Sequence, residues 1–408
     1  MENKKIVICA SPHAFGAIQV PAEMMAQGLR ENGIDAKVFL IDKKTGAKEF
    51  VSYVNENCVD AVIALNPSVL RIRYRFRRLL SYIKTRLCVF MLDAPPYHFK
   101  ALNAVMDYGL KQVFILLPDA EQINHINQYI KDQKIKNVEA VFFPWAGPKP
   151  KNLTGNVSRE FDCAVFCTLD QQITQGISKL ALIEEIESKY PSVCGVEDAV
   201  HSMFEQGYCS PVADLYYKVT GLKFSFTSVD ALNLWMRLDS LLKEHRRLAM
   251  AFELIKLAKN NGIKLIICGT GWERLGPLPD EITLAGAVHY SKQFDVFERS
   301  RFVVNLDPNW TNGVHDRVFN AMSVGAAVIT NKNQFVEDTF VDGVSILTFE
   351  NIHDLQTLMS RVDPAVIAGN ALGLYAKSHT WGNRMKSLAM AMNICVPSTS
   401  STPAAPSY

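Results

Sequence analysis

The sequence lacks any apolar run approaching the ~18 residues of a membrane span, and Met1–Lys5 leads into a strand-like segment rather than a signal-peptide core. A cytoplasmic protein is the expectation. It also lacks a charge excess, since 43 Lys and Arg against 41 Asp and Glu leave +2. That removes any whole-chain reason to expect nucleic acid as a partner. A metal or disulfide pattern is missing too. The nine cysteines are odd in number and scattered, several inside strand-like runs such as Ile6-Val-Ile-Cys9, and read as buried thiols under reducing conditions. Cys163 and Cys167 have no second pair and no nearby histidine, so no metal and no cofactor are expected. No internal repeat of roughly 20 to 50 residues is present.

What is present is an alternation of β-branched apolar bursts with helical periodicity, over 408 residues, enough for two to three domains. This pattern builds parallel sheets with crossover helices. Strands are expected at 4–10, 35–41, 59–65, 86–92, 112–117 and 138–143, with a helix over 20–31 stopped by Asn32-Gly33. The proline-rich stretch 144–150 reads as a linker. A second series opens with a strand at 161–168 and resumes at 264–268, 282–284, 302–306, 326–330 and 345–347. Between these lie a helical insertion over 171–240 and a long helix near 241–259. The expected organisation is α/β: Rossmann-like doubly wound domains at 1–150 and 151–385, a cleft between them, and a helix end with a Ser/Thr/Pro-rich disordered tail at 386–408.

In such sheets ligands sit beyond the carboxyl ends of the strands, which directs attention to the loops. After the strand at 302–306 comes Asp307-Pro308, a polar turn with Asn312-Gly313, and a helix opening near Val314. The free amides at that helix start, with His315 and Arg317 as added donors, form an anion site fit for a diphosphate. A plain βαβ unit capped by Asn312 is the alternative. The two glycines of Gly269-Thr-Gly271-Trp272 permit a tight turn and close backbone approach to a nucleotide, with Trp272 as a wall of the base pocket. An ordinary turn competes with that reading. His289, in Gly286-Ala-Val-His-Tyr290, is either a contact to the base or a helix N-terminal residue.

In the first half, Ser11-Pro-His-Ala-Phe-Gly16 follows strand one and places His13, an imidazole able to exchange protons or contact a ligand, at that strand's carboxyl end. Asp93, just past a buried strand, is able to orient an imidazole, act as base, or merely cap the next helix. The basic block 71–86 reads as a crossover helix with a solvated cationic face. The alternative is peripheral contact with an anionic surface at the inner membrane face; nucleic acid is the least favoured partner.

The stretch Asn312-Gly-Val-His-Asp-Arg-Val-Phe-Asn-Ala-Met-Ser-Val-Gly-Ala-Ala-Val-Ile-Thr330 resembles the donor-binding segment of GT-B glycosyltransferases, in particular group-1-like proteins related to the spore maturation protein CgeB. Val141-Phe-Phe-Pro-Trp-Ala146, Phe161-Asp-Cys-Ala-Val-Phe166, Ile267-Cys-Gly-Thr-Gly-Trp272 and Phe294-Asp-Val-Phe-Glu-Arg-Ser-Arg-Phe-Val-Val-Asn305 match in the same order. The resemblance implies a GT-B fold and metal-independent sugar transfer from a UDP- or GDP-sugar to a glycan, lipid or protein hydroxyl. It also implies a donor site at Gly269, Gly271, Trp272, His289, Asn312, Gly313, Val314, His315, Arg317 and Asn320, and an N-terminal base at His13 with Asp93. Retaining members carry glutamates where this chain has Asn312 and Asn320, so hydrogen bonding is kept and negative charge is lost. Two other functions stand beside transfer: a nucleotide-sugar epimerase on the same fold, and a nucleotide-sugar-binding protein with reduced catalysis.

Overall fold

A computed structural model describes residues 4–151, 159–169, 179–205, 211–226, 228–305 and 310–394. In the N-lobe, the chain runs β1 (Lys5–Ala10), α1 (Gln19–Glu31), β2 (Asp35–Leu40), α2 (Ala47–Glu56), β3 (Ala61–Leu65), β4 (Arg73–Tyr74), β5 (Arg77–Arg78), β6 (Arg86–Phe90), α3 (Pro95–Met106), β7 (Val113–Leu117), α4 (Ala120–Asp132) and β8 (Val138–Phe142). Six strands form one parallel sheet in the order β2-β1-β3-β6-β7-β8. Its central strands are buried along their length, which is why they are unbroken runs such as Ala61-Val-Ile-Ala-Leu65. Asn32 and Gly33, the latter at φ 73°, end α1; Ile34 N–H donates to Leu29 O at 3.1 Å across that turn.

The C-lobe opens with β9 (Phe161–Phe166). Then follow α5 (Lys179–Lys189), α6 (Val196–Glu205), α7 (Val212–Thr220), α8 (Val229–Asn261), β10 (Leu265–Cys268), β11 (Ile282–Gly286), α9 (Gln293–Glu298), β12 (Ser300–Asn305), α10 (Asp316–Ser323), β13 (Ala327–Asn331), α11 (Gln334–Thr339), β14 (Leu347–Phe349), α12 (Leu355–Arg361), α13 (Pro364–Ser378) and α14 (Trp381–Ala391). The sheet order β11-β10-β9-β12-β13-β14 has the topology of a dinucleotide-binding sheet, with its reversal between β9 and β12. Within the expected insertion 171–240, residues 171–178, 206–210 and 227 lie outside the described residues; α5 to α7 fill much of the remainder. They enclose their own apolar core of Ile186, Val200, Leu215 and Leu238. The helix expected near 241–259 is the later part of α8, a 33-residue helix capped by Ser228 and stopped by Gly262 at φ 65°. Its later turns pack Met250, Leu254 and Ala258 into the C-lobe core.

Two expectations change. The basic block is not a crossover helix. Arg73–Tyr74 and Arg77–Arg78 pair as an antiparallel hairpin between two 3-10 turns, in keeping with the period-two alternation of Arg71-Ile-Arg-Tyr-Arg-Phe-Arg. The 144–150 stretch is no loose linker either, because Trp145 is buried against Phe90 and Trp381. Gly147 forms an isolated β-bridge with Thr380 as the chain returns. Helix α14 then lies on α1 of the N-lobe, where a Cβ on Gly28 would stand 2.6 Å from Trp381 O. The chain thus crosses between lobes twice, side by side. Among the described residues no helix is long and apolar enough to cross a membrane.

Candidate functional site

The order of the sheets reverses at β1/β3 and at β9/β12, and the crevice beyond the carboxyl ends there is where this architecture receives ligands. The loops at those edges are 11–18 after β1, Asn66 after β3, 167–169 after β9, and 310–315 leading into α10. Asp307 and Pro308 lie outside the described residues.

On the C-lobe side, α10 opens with His315 as its N-cap. His315 Nδ1 meets Asp316 Oδ1, and the imidazole stacks on Trp145 with centroids 6.1 Å apart and 14° between planes. The other oxygen of Asp316 accepts from the Tyr290 hydroxyl and from Asn320 Nδ2, which also donates to Tyr290 Oη at 2.8 Å. Burial raises the Asp316 carboxyl, but His315, the Tyr290 hydroxyl and Arg317 outweigh it and hold it below the usual carboxylate range. Burial and the Asp316 charge push the Tyr290 phenol well up, so it stays a proton donor. Arg317 Nη1 donates to Phe166 O at 2.7 Å, tying α10 to the end of β9. His315, Arg317 and Asn320 are thus brought together, with Tyr290 and Asp316 as members that the sequence reading missed. Asp316 was readable as an acid in a helix first turn; the reach of Tyr290 across 26 residues was not.

The turn before α10 has a different occupant from the one expected. Asp119 Oδ2 accepts from Thr311 N at 2.9 Å and Thr311 Oγ1 at 3.3 Å, and Oδ1 accepts from Asn312 N at 3.1 Å. The same carboxylate caps α4 through Glu121 N, while Ala120 N donates to Asn312 O at 2.9 Å. The Thr311 and Asn312 amides are therefore spent on an interlobe clamp and are not open to a diphosphate. Asn312 Oδ1 accepts from Phe335 N at 2.8 Å, and Asn333 Nδ2 donates to Gly313 O. Gly313 is required by contact: a Cβ would run into Pro118 O. Val314 is buried in the interlobe core. Burial pushes Asp119 up to about 6 despite its four donors.

Gly269 and Gly271 lie at φ 151° and 94°, and a Cβ on either would strike the 167–169 loop. They form the tight turn, and it packs on protein backbone. Trp272 is 1% exposed, and its indole N–H donates to Cys167 O at 2.8 Å; the ring belongs to the C-lobe core. His289 caps the 3-10 turn Tyr290–Lys292 through Ser291, and a Cβ on Gly16 would stand 2.5 Å from its Nε2. The loop after β1 therefore meets the C-lobe at His289.

On the N-lobe side His13 is exposed, its Nδ1 3.0 Å from Ala14 O, with Gln19 bonded to its backbone. Asp93 does orient an imidazole, but that of His98: Nε2 lies 2.9 Å from Oδ2, and Asn66 Nδ2 donates to the same oxygen. Burial raises the Asp93 carboxyl, and His98, Asn66 and Lys243 outweigh it to hold it low. Close by, the Tyr97 hydroxyl donates to buried Asp239, which pairs with Lys243 at 2.5 Å. A cavity of about 690 Å³ lies between α4 and the insertion, lined by Glu121, His125, Tyr129, Tyr217, Phe224 and Phe226 among others. Aromatic faces beside carboxylates and an imidazole suit a polyhydroxylated ligand.

Two facing doubly wound lobes with a terminal helix returning to the first define a GT-B fold. Residues 246–389 match the family described as glycosyl transferase-like. The chain is similar in fold to T4 phage BGT in complex with its UDP-glucose substrate, with TM-score 0.52 and 10% identity over 95% of this chain and 99% of that one. It is likewise similar to the DNA modifying enzyme β-glucosyltransferase, with TM-score 0.51 and 11% identity over 95% and 99%. With S. aureus TarM the TM-score is 0.43 and identity 13% over 86% of this chain; the chain spans 59% of TarM's length. No curated protein matches the sequence.

Proposed function

We propose that the chain is a glycosyltransferase moving a sugar from a UDP- or GDP-sugar to an acceptor hydroxyl, and that its relatives are the group-1-like proteins related to CgeB. The observation that carries this reading is the opening turn of α10, inside the glycosyl transferase-like match. It presents His315, Asp316 and Arg317 at the carboxyl edge of the C-lobe sheet, where the N-lobe loop bearing His13 meets the same lobe. The donor diphosphate lies against the His315 and Arg317 side chains. Asp316, held ionised, fixes the His315 ring through Nδ1, and Arg317 adds fixed positive charge beside the departing diphosphate. The acceptor enters along the aromatic cavity beside α4 and gives its proton to His13, while the Asp93–His98 pair holds the acceptor in line. Side chains stabilise the leaving group without a metal.

Thermal shift against UDP-, GDP-, CMP- and dTDP-sugars tests the donor assignment, because a ligand of the folded state raises Tm. At least one raises it, Arg317→Ala weakens that binding about tenfold, and His13→Ala lowers kcat with little change in donor affinity. EDTA leaves turnover unchanged. If no nucleotide sugar moves Tm, the reading fails; unaltered affinity in Arg317→Ala places the phosphates elsewhere. A second reading is favoured by one observation: Asn312 Oδ1 is consumed by Phe335 N and Asn320 is fully buried, so neither brings charge to the sugar. Donor binding without turnover on any acceptor would select a nucleotide-sugar-binding protein.

A further inference from the structure

The hairpin β4–β5 carries two features that weaken it. Arg73 stands directly opposite Arg78 in the register, a like-charge pair that weakens a two-stranded ladder. At the tip, Arg75 and Phe76 both adopt left-handed backbone, with φ 45° and 67°, where a hairpin ordinarily uses Asn-Gly. Phe76 is 95% exposed. Arg71, Arg73, Arg75, Arg77 and Arg78 are all exposed as well, and among the described residues no carboxylate pairs with any of them. The base, by contrast, is firm. Leu79 N donates to Ile72 O at 2.9 Å, Tyr82 Oη to Tyr74 O at 3.1 Å, and Val69, Leu70, Leu79 and Leu80 are buried in the N-lobe core. A well-anchored stem therefore projects one bare aromatic ring from a segment that carries five exposed arginines, on a chain whose net charge is only +2.

We propose that this hairpin docks the protein on an anionic bilayer surface, with the arginines on lipid phosphates and Phe76 entering the acyl boundary. The charge calls for a polyanion, and the naked ring calls for an apolar phase beside it. A bilayer interface supplies both on one face. Nucleic acid fits less well: single strands need a groove with several stacking platforms, and strands of two residues make too short a ribbon to read a duplex groove. The inference is independent of the donor chemistry.

The test is co-sedimentation of the full chain with phosphatidylcholine vesicles, with and without about a third phosphatidylglycerol. Binding requires the anionic lipid and falls as salt rises. Phe76→Ser weakens it about tenfold. Arg75→Ser and Arg77→Ser each weaken it about fivefold. Phe76 and Arg77 lie outside the core, whereas Arg75 rests on the Tyr74 ring, so Tm and donor binding stay at wild-type values in Phe76→Ser and Arg77→Ser and show that these two variants are folded. Phe76→Trp gives blue-shifted emission on anionic vesicles only. Binding that ignores phosphatidylglycerol, or a Phe76→Trp emission unmoved on anionic vesicles, overturns the proposal. So does a DNA oligonucleotide that displaces the protein from vesicles and binds Phe76→Ser as tightly as wild type.

Discussion

Asp119 and His379 set opposite pH dependences. Burial lifts Asp119 to about 6, above its unfolded value of about 4, so the folded chain binds that proton more tightly. Stability from this group is full below pH ~4 and declines as pH rises through 6. His379 is the reverse. Buried against Phe319 and Phe340 and repelled by Arg384, its ring is pushed down to about 3, so its contribution is full above pH ~6.5 and is lost as pH falls. Each group tilts stability by about 1.4 kcal/mol per pH unit between pH 4 and 6, in opposite senses. Urea midpoints across that window should therefore be flatter for wild type than for either single variant: His379→Gln unmasks a fall with rising pH, and Asp119→Asn a rise. Asp119→Ala should cost about 3 kcal/mol at neutral pH, since it strands the Thr311 and Asn312 amides, and more as pH falls toward 4. At this scale the sequence is half legible. Asp119 can be read as the N-cap of α4, but its partners lie 192 and 193 residues away, and no local pattern encodes them.

The strands are the most legible elements, because a parallel strand covered on both faces must be a continuous apolar run. β1, β3, β6, β7, β9, β10 and β13 begin and end within two residues of the expected positions. The 71–86 block, which holds the 73–78 hairpin, reads as a helix because arginine is compatible with one and a run of cations hides the period-two alternation. Trp272 was misjudged for a different reason. A tryptophan after a glycine turn looks like a binding wall until the opposing 167–169 loop is in place to cover it. Helix packing gives a direct test: Gly28→Ala should lower stability by about 2 kcal/mol, because the neighbour it meets is the Trp381 backbone and not a yielding side chain. An unchanged urea midpoint would mean that α14 rests on α1 more loosely than these distances indicate.

Among the contacts between the lobes are, first, Asp119 on Thr311 and Asn312 and, second, Gly16 on His289. Gly16→Val should wedge the second contact apart, raising the radius of gyration in solution scattering and slowing turnover about tenfold, while donor-induced Tm shifts persist on the intact C-lobe. Equal scattering curves for the two proteins would refute that contact. The outgoing segment at Gly147 and the returning segment at Thr380 are stitched together: Gly147 N donates to His379 O, and Trp381 N donates to Gly147 O at 2.8 Å. A single connector would let one half swivel and slide freely against the other. Paired connectors bonded to each other forbid twist and shear, and leave bending about their common line as the easy motion. The molecule should open like a book along its spine, so the two pages can part for substrate and still close in the same alignment on every cycle.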